Sequence, residues 1–370
     1  MMVADRVKVA VVGLGKMGIS HLAIANASET LEVVAVCDTF AMLGRMVEKH
    51  CRLAFIPNYH DVLATPGLDA VILASPTRFH ADMVRAALAK GLHVFCEKPL
   101  TLSPGVSREL AGEALRRALV GQVGYHNRFV GTFAEAKRLL DQGAIGTVRH
   151  LHGEAYGPVV LKPSGRTWRS QPAEGGGCLY DYAAHPTNLM NWYAGRTTLC
   201  SGAELVTRFS ADVEDAVYAN LRFASGATGQ LSVNWSDETV RKMSTRVSIW
   251  GDGGKLIVDR QELKVYIGSA GEPQPKYGRG WTSRYITELT PPVSYYLRGE
   301  EYTAQLEAFA LGVVAGRPDV LNDFGSAAET DHTLELIRAR AASPPKEYEA
   351  AELVPAQART RNVFARVLAG

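Results

Sequence analysis

The 370-residue chain is poor in cysteine, with only Cys37, Cys51, Cys96, Cys178 and Cys200. Their number is odd, their positions are scattered and none stand in a CxxC spacing. A disulfide framework and a structural zinc site are both disfavoured, no metal is expected, and a reducing cytoplasm is the expected compartment. An excess of one charge sign is also missing. Forty Lys and Arg stand against 38 Asp and Glu, a formal net charge of +2. That argues against a nucleic-acid or membrane-surface binder, and neither partner is expected. Long apolar runs are absent too. The first, Val7 to Leu14, is broken by Gly13 and is too short for a secretory signal. No stretch approaches the roughly 18–20 apolar residues of a membrane span.

What the sequence does have is alternation. Val7–Val12, Leu31–Cys37, Asp69–Ala74, His93–Cys96 and Val120–Tyr125 are short, nearly continuous apolar runs. Such runs fit strands buried on both faces. Helical stretches lie between them at about 16–27, 41–51, 80–90 and 103–118, the last opened by Ser103 as cap and Pro104 in its first turn. Repeated β-α units of this size imply a doubly wound parallel sheet over residues 1–125.

After about Asn127 the pattern changes. A helix at 133–142 is followed by alternating strands at 147–156, 217–223, 229–235, 245–250 and 254–258, with glycine-rich turns. Period-two alternation predicts a large, open, mainly antiparallel sheet covered on one face. Residues 268–298 read as a long loop, and helices follow at 301–315 and 326–341. The second unit, 126–343, is thus α+β, with a tail at 344–370. An uncovered apolar sheet face would be costly to leave bare, so a homodimer or homotetramer paired through it is expected.

Gly13-Leu14-Gly15-Lys16-Met17-Gly18 is GxGxxG, placed directly after a strand and opening a helix, and Asp38 ends the next strand. In that context the pattern is the dinucleotide-binding fingerprint of a Rossmann fold. Gly13 permits the turn, Gly15 lets backbone approach the pyrophosphate and Gly18 permits close helix–strand packing. Asp38 is expected to accept from the adenosine ribose and to repel a 2′-phosphate, favouring NAD over NADP. Thr39 and Arg45 keep NADP as an alternative.

Three further motifs follow in order. They are Ser75-Pro76-Thr77-Arg78-Phe79-His80; His93-Val94-Phe95-Cys96-Glu97-Lys98-Pro99-Leu100; and Gly175-Gly176-Gly177-Cys178-Leu179-Tyr180-Asp181-Tyr182-Ala183-Ala184-His185. With the glycine turn, they resemble the glucose-fructose oxidoreductase / inositol dehydrogenase / rhizopine-catabolism (Gfo/Idh/MocA) family over roughly residues 5–343. The resemblance implies a hydride-transferring enzyme acting on a sugar, polyol or sugar nucleotide, with Lys98, Asp181 and His185 catalytic. It also implies a cis peptide before Pro99, cofactor contacts from Ser75, Pro76, Thr77, His80 and Glu97, and substrate contacts from His126 and Asn127. Trp168 and Arg169 are expected to border the pocket, and Arg128 to be structural.

The residue chemistry agrees with this. Lys98 ends a parallel strand, the edge where ligands of such sheets bind. Asp181 and His185 are four apart, on one face if helical. An imidazole is the natural acid/base near neutrality, while Asp181 would orient it and Lys98. The chain departs from the family pattern at Thr77, Ala183 and Asn188. Two alternatives share the motifs: an NAD-using glycosidase, and a catalytically silent dinucleotide-binding regulator. Arg166, Arg169, Lys276, Arg279 and Arg284 are candidates to meet the diphosphate of a sugar nucleotide.

Overall fold

The computed structural model describes residues 6–163 and 167–343. Its first unit runs β1 (Val7–Val12), α1 (Lys16–Ala27), β2 (Leu31–Cys37), α2 (Ala41–Cys51), β3 (Ala54–Phe55), α3 (Tyr59–Val62), β4 (Ala70–Leu73), α4 (His80–Ala89), β5 (His93–Cys96), α5 (Pro104–Arg116) and β6 (Gly121–Val123). All six strands are parallel, in the order β3-β2-β1-β4-β5-β6. β1 shows why the run of apolar residues forms an inner strand. Val7, Val9 and Val11 enter one hydrophobic core, and Ala10 and Val12 enter another on the opposite face. Ser103 does cap α5, with Pro104 at its start, but its side chain makes no capping bond.

The second unit holds α6 (Gly131–Asp141), β7 (Val148–Tyr156), α7 (Ala184–Ala194), β8 (Thr197–Val206), β9 (Ala216–Phe223), β10 (Thr228–Asn234), β11 (Ser244–Gly251), β12 (Gly254–Asp259), β13 (Glu262–Ile267), β14 (Gly280–Tyr285), α8 (Ile286–Leu289), α9 (Glu300–Val314) and α10 (Phe324–Ala341). Eight strands lie in the order β14-β13-β12-β11-β7-β10-β9-β8, antiparallel except for the β7–β10 pair. The helices α6, α7 and α10 cover one face.

Three features depart from the sequence reading. Strands β8 and β13 were not anticipated, and the 268–298 loop contains β14 and a single helical turn. β14 is an edge strand whose residues are half-buried or exposed, so it shows little apolar alternation. The open face is also less apolar than expected. It presents Tyr218, Asn220 and Arg222 from β9, and Tyr156 joined to Ser232 across strands at 2.8 Å. The last two helices return to the first unit. Phe309 of α9 meets Phe95 of β5 edge-on at 6.0 Å, and α10 packs on α5.

Candidate active site

The glycine turn joins β1 to α1. Gly13 adopts φ +89°, and a Cβ there would lie 2.7 Å from the Ala74 carbonyl oxygen, so both backbone and space demand glycine. A Cβ on Gly15 would meet nothing within 4 Å, which leaves open space directly over the turn. No acidic side chain occupies the first turn of α1, and Gly15 offers no side-chain cap. The free N–H groups at that helix start, next to exposed Lys16 and half-buried Met17, suit a phosphate. Asp38 lies beside them. Its Oδ2 accepts from Leu14 N at 2.6 Å and its Oδ1 from Phe40 N at 2.7 Å. Asp38 therefore braces the turn, and each oxygen keeps a further lone pair for a ribose hydroxyl. These residues fit a dinucleotide.

The Ser75–His80 loop is tied down by its own histidine. The two ring nitrogens of His80 lie 3.0 Å from the carbonyls of Pro99 and Ser75; the neutral ring donates to one of them, and the tautomer with its proton on Nδ1 ties this loop to the one that carries Lys98. Across the cleft, Arg78 pairs with Glu174, and Thr77 lies against Gly175 of the triple glycine. Glu97 is half-buried and accepts from His21 of α1 at 2.7 Å. Burial pushes the Glu97 carboxyl up, but the His21 bond and the neighbouring Lys98 charge outweigh it and hold the group below its ordinary range.

Lys98, with a cis bond to Pro99, crosses to the second unit. Its Nζ donates to Asp181 Oδ1 at 2.9 Å and to the Asp181 carbonyl at 3.0 Å. Arg169 Nε donates to the other carboxylate oxygen at 3.0 Å, its guanidinium stacked 4.5 Å over Trp168. Burial raises the Asp181 carboxyl, yet the two cations more than offset this and keep it ionised. Asp181 sits in a π-helical turn, Leu179–Ala183, which runs into α7. The expected plain helix is thus wound wider at its start, a form that recurs at functional sites. The turn hangs from Glu214, whose Oε1 accepts from Leu179 N at 2.7 Å. Gly177, at φ +102°, gives Glu214 its room.

His185 follows on α7, buried, with Nδ1 lacking a partner among the described residues. Its ring meets His126 edge-on at 5.1 Å and Tyr125 at 6.4 Å. Burial, then the charges of Lys98 and Arg260, push its pKa well below the usual imidazole value, so the ring stands neutral. Lys98 and His185 share no hydrogen bond; the contact actually made is Lys98 to Asp181. His126 stacks on Tyr302 of α9 at 4.7 Å. Asn127 is buried with both amide atoms unpartnered among the described residues. Arg128 donates to the side chain and backbone of Asn188 at 2.8 and 3.0 Å, the structural role expected of it.

Two family models match the chain. One, described as an oxidoreductase family with an NAD-binding Rossmann fold, covers residues 7–125. The other, the GFO/IDH/MocA C-terminal domain, covers 133–257. The chain belongs to the Gfo/Idh/MocA oxidoreductase family. As a member it is an NAD-binding oxidoreductase. Relatives include scyllo-inositol 2-dehydrogenase (NAD(+)) of Bacillus subtilis, 27% identical over 86% of this chain and 89% of that one. Myo-inositol 2-dehydrogenase of Thermotoga maritima is 25% identical over 85% and 90%. Among solved structures, GenD2 from gentamicin A biosynthesis, in complex with NAD, superposes with a TM-score of 0.76 at 26% identity, covering 95% of this chain and 98% of that one. A levoglucosan dehydrogenase complex with NADH reaches 0.82 at 22% identity, covering 91% and 97%; at that identity it speaks for the fold.

Within this Gfo/Idh/MocA chain the basic residues proposed for a diphosphate do not gather. Arg279 stands just before β14 and Arg284 near its far end, about 17 Å apart at the usual rise per residue. Arg279 donates to the Gly268 carbonyl and Arg284 pairs with Glu288. Arg166 lies outside the described residues. Sequence reasoning missed His21, Glu214, Arg260, Glu301 and Tyr302. Each acts through a partner far along the chain, and none stands in a spacing that local pattern reveals.

Proposed function

We propose that this chain oxidises a secondary hydroxyl of a polyol or sugar with NAD⁺, and reduces the ketone in the reverse direction. The observation that carries the reading is the junction of Lys98 with Asp181 at the C-terminal edge of the parallel sheet, beside neutral, buried His185. The inositol dehydrogenases among its relatives favour a cyclic polyol over a sugar nucleotide. So does the scattering of Arg279 and Arg284.

The cofactor would rest on Gly13–Gly18 and Asp38, with Ser75, Pro76, Thr77 and Glu97 along its path. When bound, it accepts the hydride of the carbinol carbon, chemistry the side chains themselves do not supply. His185, neutral, takes the hydroxyl proton. Lys98 donates to the same oxygen and holds it in register. Asp181 fixes Lys98, and Arg169 keeps Asp181 charged and oriented. His126, Asn127 and Trp168 would bound the substrate.

The test is a 340 nm screen of inositols, aldoses and nucleotide sugars with NAD⁺ and NADP⁺. Lys98→Ala and His185→Ala should each lower kcat by about 10²–10⁴. Asp38→Ala should raise the KM for NAD⁺ about tenfold relative to NADP⁺. Full turnover in both catalytic-site variants ends the assignment of roles. Substrate consumed with no net NADH would point to the glycosidase. We also propose a cytoplasmic protein, supported by buried, unpaired Cys37, Cys96, Cys178 and Cys200, that assembles as a dimer or tetramer through the open sheet face. Among the described residues, no helix is long and apolar enough to cross a membrane.

A further inference from the structure

We propose that Arg260, anchored by Glu301, is a positioning residue that locks His126 into one tautomer, so that His126 donates its ring proton to a second substrate oxygen beside the one served by His185. The inference deepens the polyol reading and rests on it for the identity of that oxygen. Arg260 projects from the turn between β12 and β13, and its Nη1 lies 3.3 Å from His126 Nε2. A guanidinium only donates, so this bond runs one way and Nε2 must accept. A neutral His126 then carries its proton on Nδ1.

The arrangement is held from both sides. Glu301, in the first turn of α9 and 2% exposed, pairs with Arg260. Its neighbour Tyr302 stacks on the His126 ring, with planes only 20° apart, which opposes rotation of the ring. Protonation of His126 is opposed by its burial, then by His185, Arg260 and Lys98 around it, with Glu97 acting the other way. Centred 5.1 Å apart, the two imidazoles can serve neighbouring oxygens of one small ligand, His185 as proton acceptor and His126 as fixed donor. The class so recognised is a compound with a hydroxyl next to the reacting carbinol. A simple secondary alcohol would engage His185 alone.

Long-range ¹H–¹⁵N correlation spectra of the histidine-labelled full chain read the tautomer directly. The His126 signals are identified by their loss in His126→Asn. We expect the Nδ1–H pattern in wild type and its loss in the double variant Arg260→Met/Glu301→Leu, which removes both charges together. A wild-type Nε2–H pattern overturns the proposal whether or not the double variant folds; so does an Nδ1–H pattern that persists in the double variant. In turnover, the double variant should raise the KM for a polyol about tenfold while moving kcat less, and should shift the KM for a one-hydroxyl alcohol far less. His126→Asn, with an N–H where Nδ1 stood, should keep the preference for a neighbouring hydroxyl and His126→Phe should lose it. Equal KM changes for both substrates overturn the substrate half. A fixed Nδ1–H tautomer in a protein that yields NADH from no polyol overturns the proposed function and supports the Arg260–His126 assignment.

Discussion

At the scale of single residues, the site works by separating charge from neutrality over a short distance. Asp181 is half-buried and ionised because Lys98 and Arg169 grip its two oxygens. His185, four residues on, is neutral because burial disfavours its charged form and two cations, Lys98 and Arg260, stand near. A base must be unprotonated to accept, so a lowered pKa extends activity toward acid. The acid limb of kcat/KM for oxidation should therefore fall below pH 6.5. Lys98→Met removes one of the cations and should move that limb up toward 6.5 while depressing the rate. A wild-type limb at or above 6.5 in a pH–rate profile would contradict the assignment of His185 as the base.

Between elements, the seam of α5 against α10 holds a carboxyl the chemistry does not use. Asp331 of α10 is fully buried and accepts from Ser107 Oγ at 2.7 Å and Thr101 N at 3.3 Å, while its Oδ1 has no partner among the described residues. Burial pushes its pKa up to about 7, with the Ser107 and Thr101 bonds acting against that rise. The folded chain thus holds this proton more tightly than an unfolded one, whose Asp titrates near 4. The sign follows from linkage: the contribution is fully favourable below about pH 4 and is lost as pH rises through 7. Asp331→Asn keeps an acceptor for both donors and cannot ionise. Its stability advantage over wild type should grow by roughly 2–3 kcal/mol from pH 5 to pH 8 in urea unfolding. An advantage independent of pH would show that Asp331 does not titrate there.

Across the whole molecule, one sheet is sealed on both faces and the other on only one. The bare face carries Tyr156 and Tyr218 among polar groups, and Trp250 under the Lys255 ammonium at 4.3 Å. Aromatic residues within a polar surround suit a subunit interface better than open solvent. Sedimentation velocity at micromolar concentration should give at least twice the 40.1 kDa chain mass. Tyr218→Glu should shift the distribution toward monomer. A wild-type monomer at tens of micromolar would refute pairing through this face.

The sequence by itself determined the parallel sheet, the glycine turn and the motif residues Lys98, Asp181 and His185. Each is written locally: an apolar run buried on two faces, glycines where no Cβ fits, a motif of fixed spacing. It did not reveal β8 or β14, whose half-exposed residues lack clean alternation, nor β13, although Leu263, Val265 and Ile267 do alternate there and were legible. Nor did it show that Asp38 braces the turn, that Lys98 reaches Asp181 rather than His185, or that Arg260 and Glu301 stand behind His126. Those pairings join residues 24 to 134 positions apart. The pairing of β1 with β2 brings Asp38 to Leu14, while the packing of α9, α10 and the open sheet around the first unit brings the others within bonding distance, and no local preference encodes a contact between segments that far apart.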